Sequence, residues 1–305
     1  MTCANHYEHP VLTNRVIIRT PQMSILSDTI HRWVWSGVPG GAIIGESRMG
    51  KSWAVRELAE RIRTRSNMTI PTDYISLGER DSKSILSIFR RICYSTNLRV
   101  TTRSTSDELC RAYVNLLRDR ARETGCDYCV LIVDEAHLLR GRQFSPFLEI
   151  YNELDATPAG PSIHVIFVFS HPECRPIMDL LKKETFTKVR ARFFTQNMRF
   201  RGIHSLEQMK ICLSAYDQLK FPQDGLVYSN YFLPEWYSQG WRLENLSPVF
   251  WEAYNTYKNR MKLDSLGMQY FVSATNMLLA DILPRLSDPN IESEIIEDCL
   301  AVSGL

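Results

Sequence analysis

The chain has 305 residues, enough for one large domain or two smaller ones, and its 44% hydrophobic and 23% charged content is that of an ordinary globular protein. A formal net charge of +2 excludes a molecule-wide field as the means of holding nucleic acid, so any such surface must be local. The opening MTCANHYEHPVLTNR has no apolar leader core, and no apolar run approaches the roughly 18 residues of a membrane span. We therefore expect a cytoplasmic protein that meets no membrane and keeps its eight cysteines (3, 93, 110, 126, 129, 174, 212 and 299) reduced. Cys126-Asp-Tyr-Cys129 is a C-x-x-C pair without a second half, and Cys129 opens an apolar strand, so core thiols are the better reading.

Residues 11–40 read as an extended entry and then a helix near Ser24–Trp35, stopped by Gly37 and Pro39. GAIIG follows as a short buried strand that runs into Gly45-Glu-Ser-Arg-Met-Gly-Lys-Ser52, which fits the phosphate-loop pattern G-x-x-x-x-G-K-[ST]. Val55, Leu58, Ala59 and Ile62 then recur at helical spacing, and on that pattern Arg61, Arg63 and Arg65 fall on a solvated helix face. YISL (74–77) predicts a second strand, and Ile85, Ile88, Phe89 and Ile92 a second helix. Thr105-Ser-Asp-Glu108 is a capping box that starts a helix through Leu109, Tyr113 and Leu117. CVLIVDEAHLL (129–139) and IHVIFVFS (163–170) are the continuous apolar runs of central parallel strands, and RFFTQNMRF (192–200) supplies a fifth. The alternation predicts an α/β domain with a mostly parallel sheet over residues 1–202. Beyond it, patterns at 205–219, 248–260, 266–283 and 290–302 predict a smaller all-helical domain over 203–305, with Trp236, Trp241 and Trp251 as packing residues.

The chemistry concentrates at two places. In a phosphate loop, the backbone N–H groups of Gly45, Glu46, Ser47, Arg48, Met49, Gly50 and Lys51 wrap phosphates at the start of a helix that continues through Ser52 and Trp53. Lys51 would reach the β- and γ-phosphates, and the Ser52 hydroxyl would bind Mg²⁺. Val130-Leu-Ile-Val-Asp134-Glu135 then places two carboxylates at the carboxyl edge of the sheet, where doubly wound folds bind ligands. Asp134 would hold Mg²⁺ through its water shell and Glu135 would polarise the attacking water, a role compatible with an acidic N-cap for the helix beyond 137.

Gly45–Ser52, Asp134-Glu135-Ala-His and the trailing helical domain resemble an AAA+ ATPase over most of residues 12–260. More narrowly, GESRMGKS, RVTTRSTSDEL (99–109) and LIVDEAHLL resemble the TnsC/TniB-type transposition regulators. The resemblance implies a sensor-1 side chain at the end of the strand after Asp134-Glu135, either Ser170 or His171. A buried histidine satisfied by backbone is an equal reading of His171. It also implies an arginine finger given to a neighbouring subunit by KVRARFF, where Arg190 and Arg192 are available and the family's RF pattern favours Arg192. Arg242, in Gly-Trp-Arg-Leu, matches a sensor-2 arginine, although Pro248 starts a helix later than the family's pattern has it.

Arg99, Thr101 and Arg103 lie between two predicted helices, and their basic and hydroxyl groups suit phosphate-backbone contacts. In the family resembled, this region faces double-stranded DNA within a helical oligomer. The implied function is an ATP-dependent regulator of transposition that assembles on DNA and links a target selector to a transposase, with hydrolysis driving disassembly. A replication-initiation or helicase-loading ATPase of the same fold is the alternative, and a nucleotide-switched signalling scaffold without DNA is the alternative of another class.

Overall fold

The computed structural model describes residues 9–157 and 160–305, and Ser82 by its backbone alone, so Cys3 lies outside the described residues. Two compact units emerge: residues 25–47 with 51–200, and residues 9–24 with 48–50 and 201–305.

The first unit is built on a five-stranded sheet in the order β2 (Thr72–Ser76), β3 (Tyr128–Asp134), β4 (Ser162–His171), β1 (Gly40–Glu46), β5 (Asn197–Arg199), every pair parallel. This is the α/β architecture expected from the alternating pattern. β3 and β4 are buried along almost their whole length, which is why they read as unbroken apolar runs rather than alternating ones. Helix α1 (Pro21–Trp35) precedes β1, and α2 (Lys51–Ala59), α3 (Ile85–Ser95), α4 (Ser106–Thr124), α5 (Ser145–Asp155), α6 (Arg175–Leu181) and α7 (Thr187–Phe193) fill the connections. The capping box forms: Thr105 N–H donates to Glu108 Oε2 (2.9 Å), and Glu108 N–H donates to Thr105 Oγ1 (3.3 Å). α4 stops where Gly125 takes a left-handed φ of 63°. Asp73 of β2 ties that helix down, accepting from Tyr113 Oη (3.0 Å) and Arg120 Nη1 (2.6 Å).

Two expectations for this unit fail for identifiable reasons. The fifth strand does not run from 192: Arg192 and Phe193 end α7, because Val189 and Phe193, four apart, bury one helical face. Phe193 then packs on Phe167, ring centroids 5.8 Å apart, within an aromatic cluster that includes Phe144, Phe147 and Phe194. Arg61, Arg63 and Arg65 are not on a helix. α2 ends at Ala59, and the chain folds back as a tight hairpin in which Ile70 N–H donates to Ile62 O (3.0 Å) and Arg63 bridges Thr69. Ile62 is fully buried, so its spacing mimicked a continuing helix.

The second unit packs α8 (Leu206–Ser214), α9 (Tyr228–Phe232), α10 (Pro234–Ser238), α11 (Ser247–Met261), α12 (Met268–Met277) and α13 (Ser293–Val302) around Leu213, Tyr216, Phe250, Tyr254, Phe271 and Leu300. It is not all-helical: β6 (Lys220–Phe221) and β7 (Leu226–Val227) form a short antiparallel hairpin, too brief to leave a period-two signal. The expected helix over 266–283 breaks after Met277 into a π turn at Leu278–Ile282 and a 3₁₀ turn at Leu283–Arg285. Val11, Val16 and Ile18 bury their side chains in this core, and Asn276 Nδ2 donates to Asn14 Oδ1 (2.7 Å). Trp236 and Trp241 pack edge to face at 5.5 Å, and Trp251 packs against Tyr254, the packing role expected of them.

Candidate nucleotide-binding site

Parallel pairing gathers the site. Gly45 stands opposite Ser170, Glu46 opposite His171 and Ser76 opposite Asp134, so the carboxyl ends of β1, β2, β3 and β4 share one edge. β1 ends at Glu46, Ser47–Gly50 turn, and α2 begins at Lys51 with Ser52 in its first turn. Arg48 (φ 65°) and Gly50 (φ 89°) adopt left-handed backbone, the geometry that aims successive N–H groups at one point. Gly45 has no room for a side chain, since an added Cβ would meet the carbonyl of Phe200.

Lys51 is 6% exposed, and its Nζ donates to Glu46 O at 2.5 Å. Burial pulls its pKa below the ordinary lysine value, while the charges of Glu135, Asp134, Glu173 and Glu46 pull against that shift. A buried ammonium with one backbone acceptor and carboxylates in its field is suited to meet a phosphate. Asp134, 2% exposed, accepts Tyr74 Oη on Oδ2 (2.7 Å) and Glu135 N–H on Oδ1 (2.9 Å). Both bonds fix the carboxylate and leave each oxygen a further lone pair, a donor set that fits Mg²⁺ held through water beside a Ser52 hydroxyl. Tyr74 is itself steadied by Arg56, whose Nη2 donates to its Oη (3.3 Å).

Glu135 has left-handed backbone (φ 57°, ψ 33°) at the N-cap position of the turn Ala136–Leu138, yet its side chain makes no cap bond. The acidic-cap reading thus holds for its position and not for its carboxylate. Burial and the neighbouring Asp134 charge push its pKa up, opposed by His137 and Lys51. His137 Nδ1 lies 3.3 Å from Oε2.

Ser170 and His171 end β4, both half-buried. His171 is not a core histidine satisfied by backbone, because its Nε2 accepts from Arg175 Nε (3.4 Å) at the surface. Arg190 Nη1 donates to Leu181 O (2.8 Å) and Lys182 O (3.0 Å), closing the end of α6, whereas the Arg192 guanidinium lies over the Tyr151 ring at 4.5 Å. Arg242 Nη1 donates to Tyr237 O (3.0 Å) and Trp241 O (2.7 Å), and the guanidinium stacks on Tyr237 at 3.6 Å. Arg99, Thr101 and Arg103 are exposed on a turn that Arg90 supports by donating to Thr102 O (3.1 Å). Trp53 is half-buried in the first turn of α2.

Sequence reading missed several neighbours. Tyr74 and Glu173 carry no motif. Within the second unit, Arg48, Met49 and Gly50 are gripped by the turn at 265–270. Arg48 Nη1 donates to Tyr270 Oη (3.1 Å), Gln269 N–H donates to Arg48 O (3.2 Å), Ser265 Oγ donates to Met49 Sδ (3.7 Å), and Met268 lies against Gly50. Nothing local in that segment signals it.

A phosphate loop leading into a helix, with an Asp-Glu pair at the end of a parallel strand two places along the same sheet, is the arrangement of a P-loop ATPase core. Residues 39–178, from the start of β1 into α6, match the AAA domain family. None of the curated proteins matches the chain. Among solved structures, the chain is similar to the Aeropyrum pernix ORC2 protein in ADPNP–ADP complexes, with 12% identity, 94% of this chain and 69% of that chain covered, and a TM-score of 0.50. It is similar also to Drosophila ORC bound to DNA, with 12% identity, 93% and 67% covered, and a TM-score of 0.52. At such identity the likeness is one of fold. No helix among the described residues is long and apolar enough to cross a membrane.

Proposed function

We propose that this protein is an ATP-driven assembly switch on double-stranded DNA, of the kind that regulates transposition by linking a target selector to a transposase. The observation that carries the reading is the joining of Lys51, Asp134 and Glu135 at one sheet edge, with exposed Arg99, Thr101 and Arg103 on a turn beyond it in the same unit. With ATP as substrate, Lys51 leaves the Glu46 carbonyl for the phosphates, and the loop N–H groups hold their oxygens. Ser52 and Asp134 would hold Mg²⁺, which offsets phosphate charge. Glu135 takes the proton of the attacking water, and Ser170 or His171 orients that water from the end of β4. Arg192 is the better finger toward a neighbouring subunit, because Arg190 is engaged by two carbonyls and Arg192 only by a ring face.

Mixing two inactive variants tests the shared site. Lys51→Ala lacks the phosphate grip and Arg192→Ala lacks the finger, so each alone should be inactive while a mixture regains part of the DNA-stimulated ATPase activity. No recovery on mixing, with each variant folded, would remove the shared-site reading. Failure of the wild type to bind duplex DNA with a non-hydrolysable ATP analogue would remove the DNA switch itself.

A replication-initiation role is the second reading, favoured by the fold shared with the two ORC structures. Electron microscopy of the protein on duplex DNA separates the two. Continuous filaments support the transposition reading, and closed or short oligomers that recruit a helicase support initiation.

A further inference from the structure

The arginines after α2, once removed from a helix, form a separate surface of the first unit. Trp35 Nε1 donates to Arg63 O (2.8 Å), and Arg63 N–H donates to His31 Nε2 (3.1 Å). His31 Nδ1 in turn sits 2.8 Å from Ser27 O, so the tautomer with hydrogen on Nδ1 satisfies both contacts. The hairpin is closed by Thr64 N–H donating to Met68 O (2.9 Å), Met68 N–H donating to Thr64 Oγ1 (3.0 Å), and a left-handed Asn67 (φ 64°). Arg63 Nη1 donates to Thr69 Oγ1, and the Arg65 guanidinium lies 6.0 Å from the Trp35 ring. Two residues of α1 thus hold the backbone of a rigid arginine-bearing turn.

Between that turn and α1 opens a cleft of about 860 Å³ lined by Arg32, Arg63, Arg65, Trp35, Asp28 and Ile25. Its chemistry is mixed. Three arginines line it, yet Ile25 is 47% exposed at its wall and Met68 is 40% exposed on the adjoining turn. A nucleic-acid backbone needs cations and hydroxyls and gains nothing from an exposed isoleucine. A protein segment that alternates acids with aliphatic side chains uses both halves. Arginine, tryptophan and methionine are also the side chains concentrated at protein interfaces.

We propose that this cleft is a docking site for an acidic, aliphatic segment of a partner protein, with Arg63 and Arg65 pairing its carboxylates and Ile25 and Trp35 covering its apolar side. The docking is independent of the ATP reading, since Lys51, Asp134 and Glu135 take no part in it.

Fluorescence anisotropy on the full chain tests it, using a labelled peptide of about a dozen residues with Glu and Leu at helical spacing, and labelled duplex and single-stranded DNA in parallel. The peptide should bind and weaken with salt. Arg63→Glu with Arg65→Glu should lower its affinity by about tenfold or more, and Ile25→Ser should lower it severalfold with no change in DNA binding. Arg65→Ala, on an exposed side chain, repeats the test if the double variant folds poorly. Peptide affinity untouched by these substitutions overturns the proposal. So does loss of DNA binding with peptide binding unchanged, which would make the cleft a nucleic-acid surface. Loss of self-association in light scattering, without any peptide binding, would assign the cleft to a second copy of the chain and likewise overturn it.

Discussion

Glu135 shows most plainly what a single residue does here. Its left-handed backbone is rare for a side chain other than Gly, Asn or Asp, and costs about 1 kcal/mol. Glu135→Gly should therefore raise the melting temperature by a few degrees while ATP hydrolysis falls about 10²- to 10⁴-fold, read by calorimetry and phosphate release. The pKa of Glu135 has a sign that can be checked. It is raised in the fold by burial and by Asp134, so this group contributes stability below its unfolded pKa and loses it as pH rises through the folded value. Glu135→Gln should accordingly be more stable than the wild type at neutral pH, with the difference vanishing in acid. Hydrolysis should fall in acid at a higher pH than an ordinary carboxylate would dictate. Equal stability of the two proteins across that range would show that the carboxyl is not perturbed. At this scale, much of the candidate site was legible: Lys51, Ser52, Asp134 and Glu135, which the fold brings to one edge, stand in short patterns read from neighbours in sequence. Tyr74 was not, because it meets Asp134 from 60 positions away through strand pairing. Tyr74→Phe, which leaves Asp134 short of one donor, should cost about 1 kcal/mol and raise the Mg²⁺ concentration needed for half-maximal activity.

Elements succeed or fail as predictions according to whether their signal is local. α4 was legible at its start because its capping box and its apolar spacing agree. The hairpin after α2 was not, because a buried Ile62 at helical spacing outweighed a turn marked only by Asn67. α7 was hidden for a similar reason, since Arg-Phe-Phe reads as well in a strand as in a helix's last turn. The bonds from Asp73 to Tyr113 and Arg120 join β2 to α4, and Asp73→Ala would leave a buried hydroxyl without its acceptor. A loss of about 3 kcal/mol in urea unfolding is expected. Tyr270 offers a different readout. Its hydroxyl and ring both hold Arg48, so Tyr270→Ala should weaken nucleotide binding several-fold and Tyr270→Phe by less, measured by a fluorescent nucleotide's dissociation rate. Rates in both variants equal to that of the wild type would show that the grip on the loop has no bearing on the nucleotide.

For the molecule as a whole, the parallel sheet and the helical unit were readable from the alternation of patterns, and the order of the strands was not. What escaped was the company each segment keeps. Residues 9–24 and 48–50 pack with chain that follows residue 200, a long-range choice made by Val11, Val16, Ile18 and Met49 that no short window records. The cysteines give this organisation a practical use. Among the described residues seven are free and all are buried. Burial pushes the thiols of Cys110, Cys129 and Cys212 up to about 12 and those of Cys93 and Cys299 up to about 11. Such thiols stay silent toward an alkylating reagent until the surrounding structure opens. The molecule therefore carries its own set of clocks, Cys93, Cys110 and Cys129 timing the first core and Cys212 and Cys299 the second. Mass spectrometry of pulse-alkylated protein would read each clock separately, and bound nucleotide should slow those of the first core.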